Sequence, residues 1–201
     1  MRRLVALAAA FGLAAVFAAV ATANFPDYDH RLTADADNVS QKLAGRLALS
    51  RLATAKYATD LGRARKDGYS VLTRMIPDMG WHFVNPDVKG FDMNRPPILV
   101  YGRRGSSWQL VAYEWVFPKK PKTPPLPGAR YGSFGAACHY EDGTFQFEKS
   151  RELCPPRSPQ TGAAFGSWHP NLVTLHVWAW YPNPNGVFAG MNPLMHAFNR
   201  G

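Results

Sequence analysis

Short β-prone stretches separated by glycine- and proline-rich turns fill the chain after Gly68. The stretches 97–101 and 108–117 flank a glycine-rich link and predict an antiparallel hairpin. Residues 119–128 are rich in proline and predict a rigid surface loop. Strands do not alternate with helices, which excludes a doubly wound nucleotide-binding fold. We therefore expect an antiparallel sheet bordered by long, proline-rich loops.

The segment 38–66 differs from the rest because it is rich in Ala, Leu, Arg and Lys and lacks proline. Asp37 or Ser40 can cap the start of a helix here, and Gly68 can stop it. Two glycines inside the segment leave open whether it forms one bent helix or two. The helix is predicted from apolar residues that recur at spacings close to a helical turn, namely Val39, Leu43, Leu47, Ala53, Tyr57, Leu61 and Ala64.

These patterns predict an α+β fold in which an N-terminal helix packs on an antiparallel β-sheet with long proline-rich loops. The chain has 201 residues, of which 46% are hydrophobic. This is enough to build one core and argues against intrinsic disorder. Residues 38–201 are expected to form a single domain, preceded by an extended arm over residues 24–37, where no hydrophobic period is visible.

Residues 1–23 have the three-part pattern of a secretory signal peptide. Two arginines precede an apolar run from Leu4 to Val20, which closes on an A-x-A motif at residues 21–23. The run is shorter than the roughly 20 residues that a membrane-spanning helix needs. We therefore expect cleavage, a mature chain with no transmembrane anchor, and a secreted, periplasmic or cell-envelope location.

The chain is basic, with 23 Lys and Arg against 14 Asp and Glu and a formal net charge of +9. A basic exported protein attracts cell-wall or membrane polyanions nonspecifically. The cationic residues are dispersed and no nucleic-acid-binding motif accompanies them, which argues against nucleic acid as a partner. A non-catalytic envelope protein that binds polyanions is one interpretation of this charge, and a solvated surface without a specific partner is another.

Cys138 and Cys154 are the only cysteines of the chain. An exported chain meets oxidising conditions, and neither cysteine belongs to a C-x-x-C motif. We therefore expect a disulfide between them rather than a metal or redox site. The intervening residues 139–147 predict a hairpin around Asp142-Gly143.

Three polar residues, His82, Glu114 and His176, interrupt otherwise apolar strands. A buried carboxylate is costly unless it is paired or binds a metal. If the three strands are neighbours in one sheet, the side chains can project from one face. They would then hold a divalent metal such as Zn, Fe or Cu, with Glu114 as ligand or general base, or form a metal-free acid–base site. The structural alternative is that each histidine makes a core hydrogen bond and Glu114 pairs with an arginine.

Strand alternation adds detail to this candidate site. Glu114 is expected to share a face with Leu110 and Ala112, although both faces of that strand look apolar. His169 stands at the loop where the chain enters the last strand, and it can supply a third imidazole at the rim of the site or be an ordinary solvent-facing loop residue. His139 adjoins a cysteine and is assigned to the disulfide hairpin.

Aromatic and amide side chains are candidates for the walls of a ligand pocket. By alternation, Trp178 and Trp180 lie on the same face as His176. Rings beside an acid can form a cleft for a sugar or a flat organic ligand, although core packing is their commoner use. Trp178, Asn183 and Asn85 are the residues expected to contact the ligand.

Two motifs give the chain a family resemblance. Residues 79–86 have the pattern MGxHxVNP, and residues 175–188 have the pattern LHVWxWxxNPxGxF. Together with the central hairpin, they resemble a group of small exported, uncharacterised bacterial proteins, over about residues 50–195. The resemblance implies a family but no activity. Proteins of that group often have a cysteine just before the first motif, whereas residues 74–78 have none, so a different disulfide arrangement is expected here.

The sequence thus predicts an exported protein with a candidate site at His82, Glu114 and His176 for a divalent metal or a small-molecule ligand. The same residues are the candidate catalytic groups, with the histidines as ligands or acid and base. The alternative is a non-catalytic protein whose partner is an envelope polyanion. A third possibility is that the polar groups are buried for structural reasons alone.

Overall fold

A computed structural model describes the backbone of residues 30–198 and the side chains of residues 40–198. The signal peptide predicted for residues 1–23 lies outside the described residues. The fold is α+β, as predicted, with an N-terminal helical segment followed by nine strands in the described part of the chain. No helix of this part is long and apolar enough to cross a membrane.

The helical segment is divided into two helices. Helix α1 spans His30–Thr54, a 3-10 turn follows at Ala55–Tyr57, and helix α2 spans Leu61–Lys66. Ala58 lies between the 3-10 turn and α2, and its carbonyl accepts the N–H of Leu110 from the sheet, at 2.8 Å. A carbonyl used by the sheet does not accept an N–H from the next helical turn, so the two helices stay separate at this point.

The start of α1 corrects one prediction. Residues 30–37 were expected in an extended arm, but they are helical. Asp37 and Ser40 therefore lie inside α1 and do not cap its start. The side chain of Asp60 instead caps α2 by accepting the N–H of Arg63, at 2.8 Å. The predicted stop at Gly68 is confirmed, since this residue follows the end of α2 with a φ of 97°.

The strands form two antiparallel sheets. In the larger sheet the order is β1-β2-β3-β4-β9-β5, and in the smaller one it is β7-β6-β8. The strands are β1 Ser70–Ile76, β2 Gly80–Val84, β3 Ile98–Arg104, β4 Ser107–Phe117, β5 Gly132–Phe134, β6 Ala137–Tyr140, β7 Phe145–Phe147, β8 Phe165–His169 and β9 Leu172–Val177. A short 3-10 helix, Pro193–Ala197, follows near the C-terminus.

Both predicted hairpins are confirmed. Strands β3 and β4 pair around Gly105, and strands β6 and β7 pair around Gly143. The predicted disulfide between Cys138 and Cys154 is present and holds β6 to the loop after β7. The proline-rich segment between β4 and β5 is irregular, as predicted.

One face of the large sheet packs against the helices. Side chains of Phe83, Tyr101, Tyr113 and Trp115 are fully buried there, against a stripe of helical residues that includes Leu47 and Leu61. This face holds the main hydrophobic core and contains most of the aromatic rings of the central strands.

The other face of the large sheet carries a second, smaller core. The C-terminal segment covers part of it with Met195 and Phe198, which pack on Val100 and Ala112. The small sheet covers another part, and the N–H of Arg74 on β1 donates to the carbonyl of Gly143 in the β6–β7 hairpin, at 2.7 Å. Two sheets thus enclose a space beside the second core.

A β-bulge in β4 changes which residues share a face. Val100 pairs with Ala112 and Tyr101 pairs with Leu110, so Val111 has no partner in the ladder. Leu110 therefore points toward the helices and Val111 toward the second core. The prediction that Leu110 shares a face with Glu114 is wrong for this reason, whereas that for Ala112 is correct.

Candidate functional site

The three polar residues singled out in the sequence lie close together on the second face of the large sheet. Glu114 on β4 is directly opposite His176 on β9. His82 on β2 reaches across β3, and its Nε2 lies 3.5 Å from Oε2 of Glu114. The ring centroids of His82 and His176 are 6.2 Å apart. All three side chains are buried, although their strands are far apart in the sequence.

His82 is oriented by the middle of β1 and the start of β2. Its Nδ1 lies 2.8 Å from the hydroxyl oxygen of Thr73, and the backbone carbonyl of Gly80 also accepts a hydrogen bond from the ring. A ring that donates from Nδ1 leaves Nε2 with a free lone pair. Nε2 of His82 can therefore accept a proton or a hydrogen bond from Glu114.

Burial makes both members of this pair neutral near pH 7. Loss of hydration raises the pKa of Glu114 to about 8. Burial, followed by the neighbouring His139, lowers the pKa of His82 to about 4. Glu114 is thus a carboxylic acid that can donate a hydrogen bond, and His82 is an uncharged imidazole that can accept one.

His176 is buried without any polar contact among the described residues. Neither ring nitrogen has a hydrogen-bond partner. Burial, followed by repulsion from His82, lowers the pKa of His176 to about 3. The ring packs against that of Trp178, at 4.8 Å between centroids. An unpartnered buried imidazole costs free energy of folding, which sets this residue apart from an ordinary core histidine.

A pocket of about 240 Å³ lies between the two sheets, with Glu114 and His82 in its wall. The other polar groups in the wall include the hydroxyl of Thr73 and the imidazoles of His139 and His169. His176 lies next to Glu114 but is not part of the lining. Most of the wall is apolar and includes Leu72, Ile98, Val116, Phe134 and Leu172.

His139 and His169 form a contact that the sequence did not predict. Their Nε2 atoms lie 3.0 Å apart, and the ring of Phe134 lies beside both. The predictions placed His139 in the disulfide hairpin and His169 at the rim. His139 lies in that hairpin, as predicted, whereas His169 is the last residue of strand β8. The prediction missed the pairing of β6 with β8, which brings the two rings together. Because neighbours on a strand point to opposite faces, the disulfide at Cys138 was a signal that His139 faces away from it.

The geometry does not support the predicted metal site. Among the side chains of residues 40–198, no group of three or more His, Cys, Asp or Glu is arranged to hold a metal ion. His82 uses Nδ1 for Thr73 and directs Nε2 to Glu114, while His176 makes no polar contact. The three residues are neighbours in the fold, but their arrangement gives no support to the expectation that they bind Zn, Fe or Cu together.

The predicted ligand-contacting residues lie outside the pocket lining. The indole N–H of Trp178 donates to the carbonyl of Ala189, at 2.6 Å, so this ring supports His176 from behind. The side chain of Asn183 bonds the backbone of the same C-terminal loop. Asn85 is buried and bonds the backbone carbonyl of Asp67, at 2.8 Å, which ties β2 to the end of α2.

Trp180 is on the opposite side of the sheet from the predicted one. Strand β9 ends at Val177, and the backbone N–H groups of Trp180 and Tyr181 both donate to the carbonyl of Val111. The indole N–H of Trp180 then donates to the hydroxyl of Tyr113 on the helix-covered face, at 2.6 Å. Strand alternation does not apply beyond Val177, which explains the error.

No protein-family model, curated protein or solved structure matches this chain. The resemblance to small exported bacterial proteins therefore stays a prediction. The functional argument rests on the pocket and on the side chains that line it.

Proposed function

We propose that this chain is an exported protein that binds a small, mainly apolar molecule in the pocket between its two sheets. A concave, mostly apolar cavity with a few convergent polar groups is the usual form of a small-molecule site. The pocket of about 240 Å³ has this composition. The disulfide and the predicted signal peptide support export.

The observation that carries the proposal is Glu114 itself. Its side chain is 11% exposed, and its pKa is raised by burial alone, with no cation contributing. Among the described residues, the basic side chain within 4 Å of its carboxyl is the imidazole of His82, which is neutral near pH 7, and not an arginine; this removes the simplest structural explanation. A carboxyl group held without a cation at the wall of an apolar pocket is costly for folding and well suited to hydrogen-bonding a ligand.

The pair of Glu114 and His82 is also equipped for proton transfer. Near pH 7 Glu114 holds a proton that it can give to a bound ligand, and Nε2 of His82 can accept one. A metal-free general acid and base is thus the catalytic form of this proposal. Thr73 is the positioning residue, since its hydroxyl contacts Nδ1 of His82.

A blocked pocket tests the binding function. Val116 lines the pocket and is 41% exposed, so a Val116→Trp substitution can fill the cavity without disrupting the core. We expect wild-type protein to be stabilised in thermal-shift assays by members of a homologous series of alkanols, alkylamines and alkanoates. The Val116→Trp variant should lose this response, with affinity reduced at least about tenfold.

The matched control for the blocked pocket is Leu52→Trp, on an exposed helix position away from the site. This variant should bind as wild type does. Stabilisation that persists in Val116→Trp, or is lost equally in Leu52→Trp, contradicts the pocket as the binding site.

A second candidate function is the binding of envelope polyanions, and one surface groove favours it. The groove is lined by Arg65 and Arg103, by Arg74, which already pairs with Asp142 at 2.6 Å, and by the indoles of Trp81 and Trp108, which meet edge to face at 5.4 Å. Guanidinium groups pair with carboxylate and phosphate, and indole rings stack on sugars. An Arg65→Ala/Arg103→Ala double variant should elute from a cell-wall preparation at lower salt than wild type does. Retention that does not respond to salt contradicts this function.

A further inference from the structure

The contact between His139 and His169 lacks one hydrogen when both imidazoles are neutral. Three polar contacts follow one another across the two rings. Nδ1 of His139 lies 3.1 Å from the carbonyl of Leu72, the two Nε2 atoms are 3.0 Å apart, and Nδ1 of His169 lies 2.6 Å from the carbonyl of Pro170. Carbonyl oxygens only accept, so each contact needs a hydrogen on a ring nitrogen.

Two neutral imidazoles carry two hydrogens in total, and the three contacts require three. If the carbonyls receive one each, the two Nε2 lone pairs face each other without a hydrogen between them. A third proton, shared between the Nε2 atoms, completes the row and gives the pair of His139 and His169 one positive charge.

None of the described residues that line the pocket is a fixed counter-ion for this positive charge. Burial lowers the pKa of His139 to about 4, so the empty pocket disfavours the added proton. The titratable groups that face the pair across the pocket are His82 on β2 and Glu114 on β4, with His176 on β9 behind them. Near pH 7 burial keeps all three uncharged. A negative charge must therefore come from the ligand.

We propose that the pocket binds an apolar carboxylic acid. Its carboxylate lies beside the His139–His169 pair, where it accepts hydrogen bonds, and the pair takes up one proton from solution when the acid binds. This inference rests on the proposed function and specifies its ligand class. The carboxylate arrives ionised, a proton adds to an Nε2 atom, and no covalent bond of the ligand changes. The neutral acid group of Glu114 can donate to the same carboxylate instead of repelling it.

The size of the pocket and the charge of the chain agree with such a ligand. About 240 Å³ holds roughly eight water-sized groups, which corresponds to an acid such as octanoate. The apolar wall suits the hydrocarbon part. The formal net charge of +9 attracts anions to the protein.

Calorimetric titration with octanoate tests the proposal. The experiment uses mature protein with its disulfide intact, in two buffers of different ionisation enthalpy. We expect uptake of about one proton per octanoate, and an affinity that falls about tenfold per pH unit between pH 6 and 7.5. 1-Octanol, which has no carboxylate, should bind at least about tenfold more weakly at pH 6 and without this pH dependence.

Two variants assign the proton to the histidine pair. His169 is only half-buried, so His169→Gln is expected to fold and to bind octanoate with no proton uptake and no pH slope. His139→Gln should do the same if it folds. Glu114→Gln should keep the slope, which separates the histidine pair from the titration of Glu114 near pH 8. His196→Gln, at an exposed histidine that is not part of the pocket lining, is the control for wild-type behaviour.

The outcomes separate this inference from the function on which it rests. Octanoate binding without proton uptake, or equal affinity for 1-octanol, overturns the inference and leaves the pocket a small-molecule site. Absence of binding by the whole homologous series overturns both. A stoichiometric metal ion in protein prepared without chelator, lost in His169→Gln, would also overturn the inference, because the metal would replace the shared proton.

Discussion

The two faces of the large sheet differ in how their buried polar groups are hydrogen-bonded. On the helix-covered face the hydroxyl of Tyr101 donates to the carbonyl of Tyr57, and that of Tyr113 bonds Thr54 and the indole of Trp180. The Trp115 N–H and the Tyr131 hydroxyl in this core are exceptions that lack partners among the described residues. On the pocket face both nitrogens of His176 lack partners within the same part of the chain. The first face joins tyrosine hydroxyls in buried hydrogen bonds, whereas the second keeps a neutral carboxyl and an unpartnered imidazole beside a pocket, as the proposed function would require.

Loss of an aromatic side chain on the helix-covered face should have the largest effect. Trp115 is 1% exposed and packs on Phe91, at 4.7 Å between ring centroids. Trp115→Ala is expected to lower the free energy of unfolding by about 3–5 kcal/mol, because it leaves a cavity in a closed core. Urea denaturation measures this change. Phe147→Ala, at a side chain that is 62% exposed, should cost far less, and equal losses would contradict the assignment of the core.

Replacement of Glu114, on the pocket face, should raise the free energy of unfolding by an amount that depends on pH. The pKa of Glu114 is raised to about 8 in the folded protein, from an ordinary value of 4.5. The folded state therefore holds a proton that the unfolded state releases, and stability falls as pH rises from about 4.5 to about 8. Glu114→Gln removes this loss, so its stability relative to wild type should grow by about 3 kcal/mol between pH 5 and 8.

Denaturation curves of both proteins at several pH values give this difference. Glu141→Gln, at an exposed carboxyl, is the matched control and should show no such trend. A constant difference between Glu114→Gln and wild type across this range would mean that Glu114 ionises normally, and the comparison between the faces would fail.

A matched pair of threonine substitutions should have the smallest effects on stability, and it compares the two faces directly. Thr54 bonds Tyr113 on the helix-covered face, and Thr73 contacts His82 on the pocket face. Thr54→Val and Thr73→Val should each cost about 1 kcal/mol in the free energy of unfolding. Only Thr73→Val should alter ligand affinity and the NMR titration of the His82 ring. If Thr54→Val changes both equally, the two faces are not functionally distinct.

Local patterns in the sequence predict the fold class, both hairpins, the disulfide and the grouping of His82, Glu114 and His176. Each of these depends on strand alternation, turn residues or the cost of burying a carboxyl group. The errors arise where distant segments decide the structure. The bulge at Val111 and the bend after Val177 are coupled, since the carbonyl of Val111 accepts N–H groups from beyond β9.

The functional details missed by the sequence have a similar origin. The row of contacts through His139 and His169 depends on the pairing of β6 with β8, which no local pattern specifies. The orientation of His82 depends on Thr73, in a strand that the turn signals did not reveal. The sequence can predict which side chains are candidates for a site formed by three or four strands. Their contacts depend on the pairing register of those strands, which the sequence does not specify locally.

The disulfide has a consequence for when the pocket is completed. Cys138 precedes His139 on β6, so the bond to Cys154 fixes the strand that carries one half of the histidine pair. Such bonds do not persist in the reducing cytoplasm. If the chain is exported and binds a ligand as proposed, the reduced chain would have a loosely held pocket wall before export. The same oxidation that stabilises the small sheet would then complete the binding site, so that ligand affinity would develop only after export.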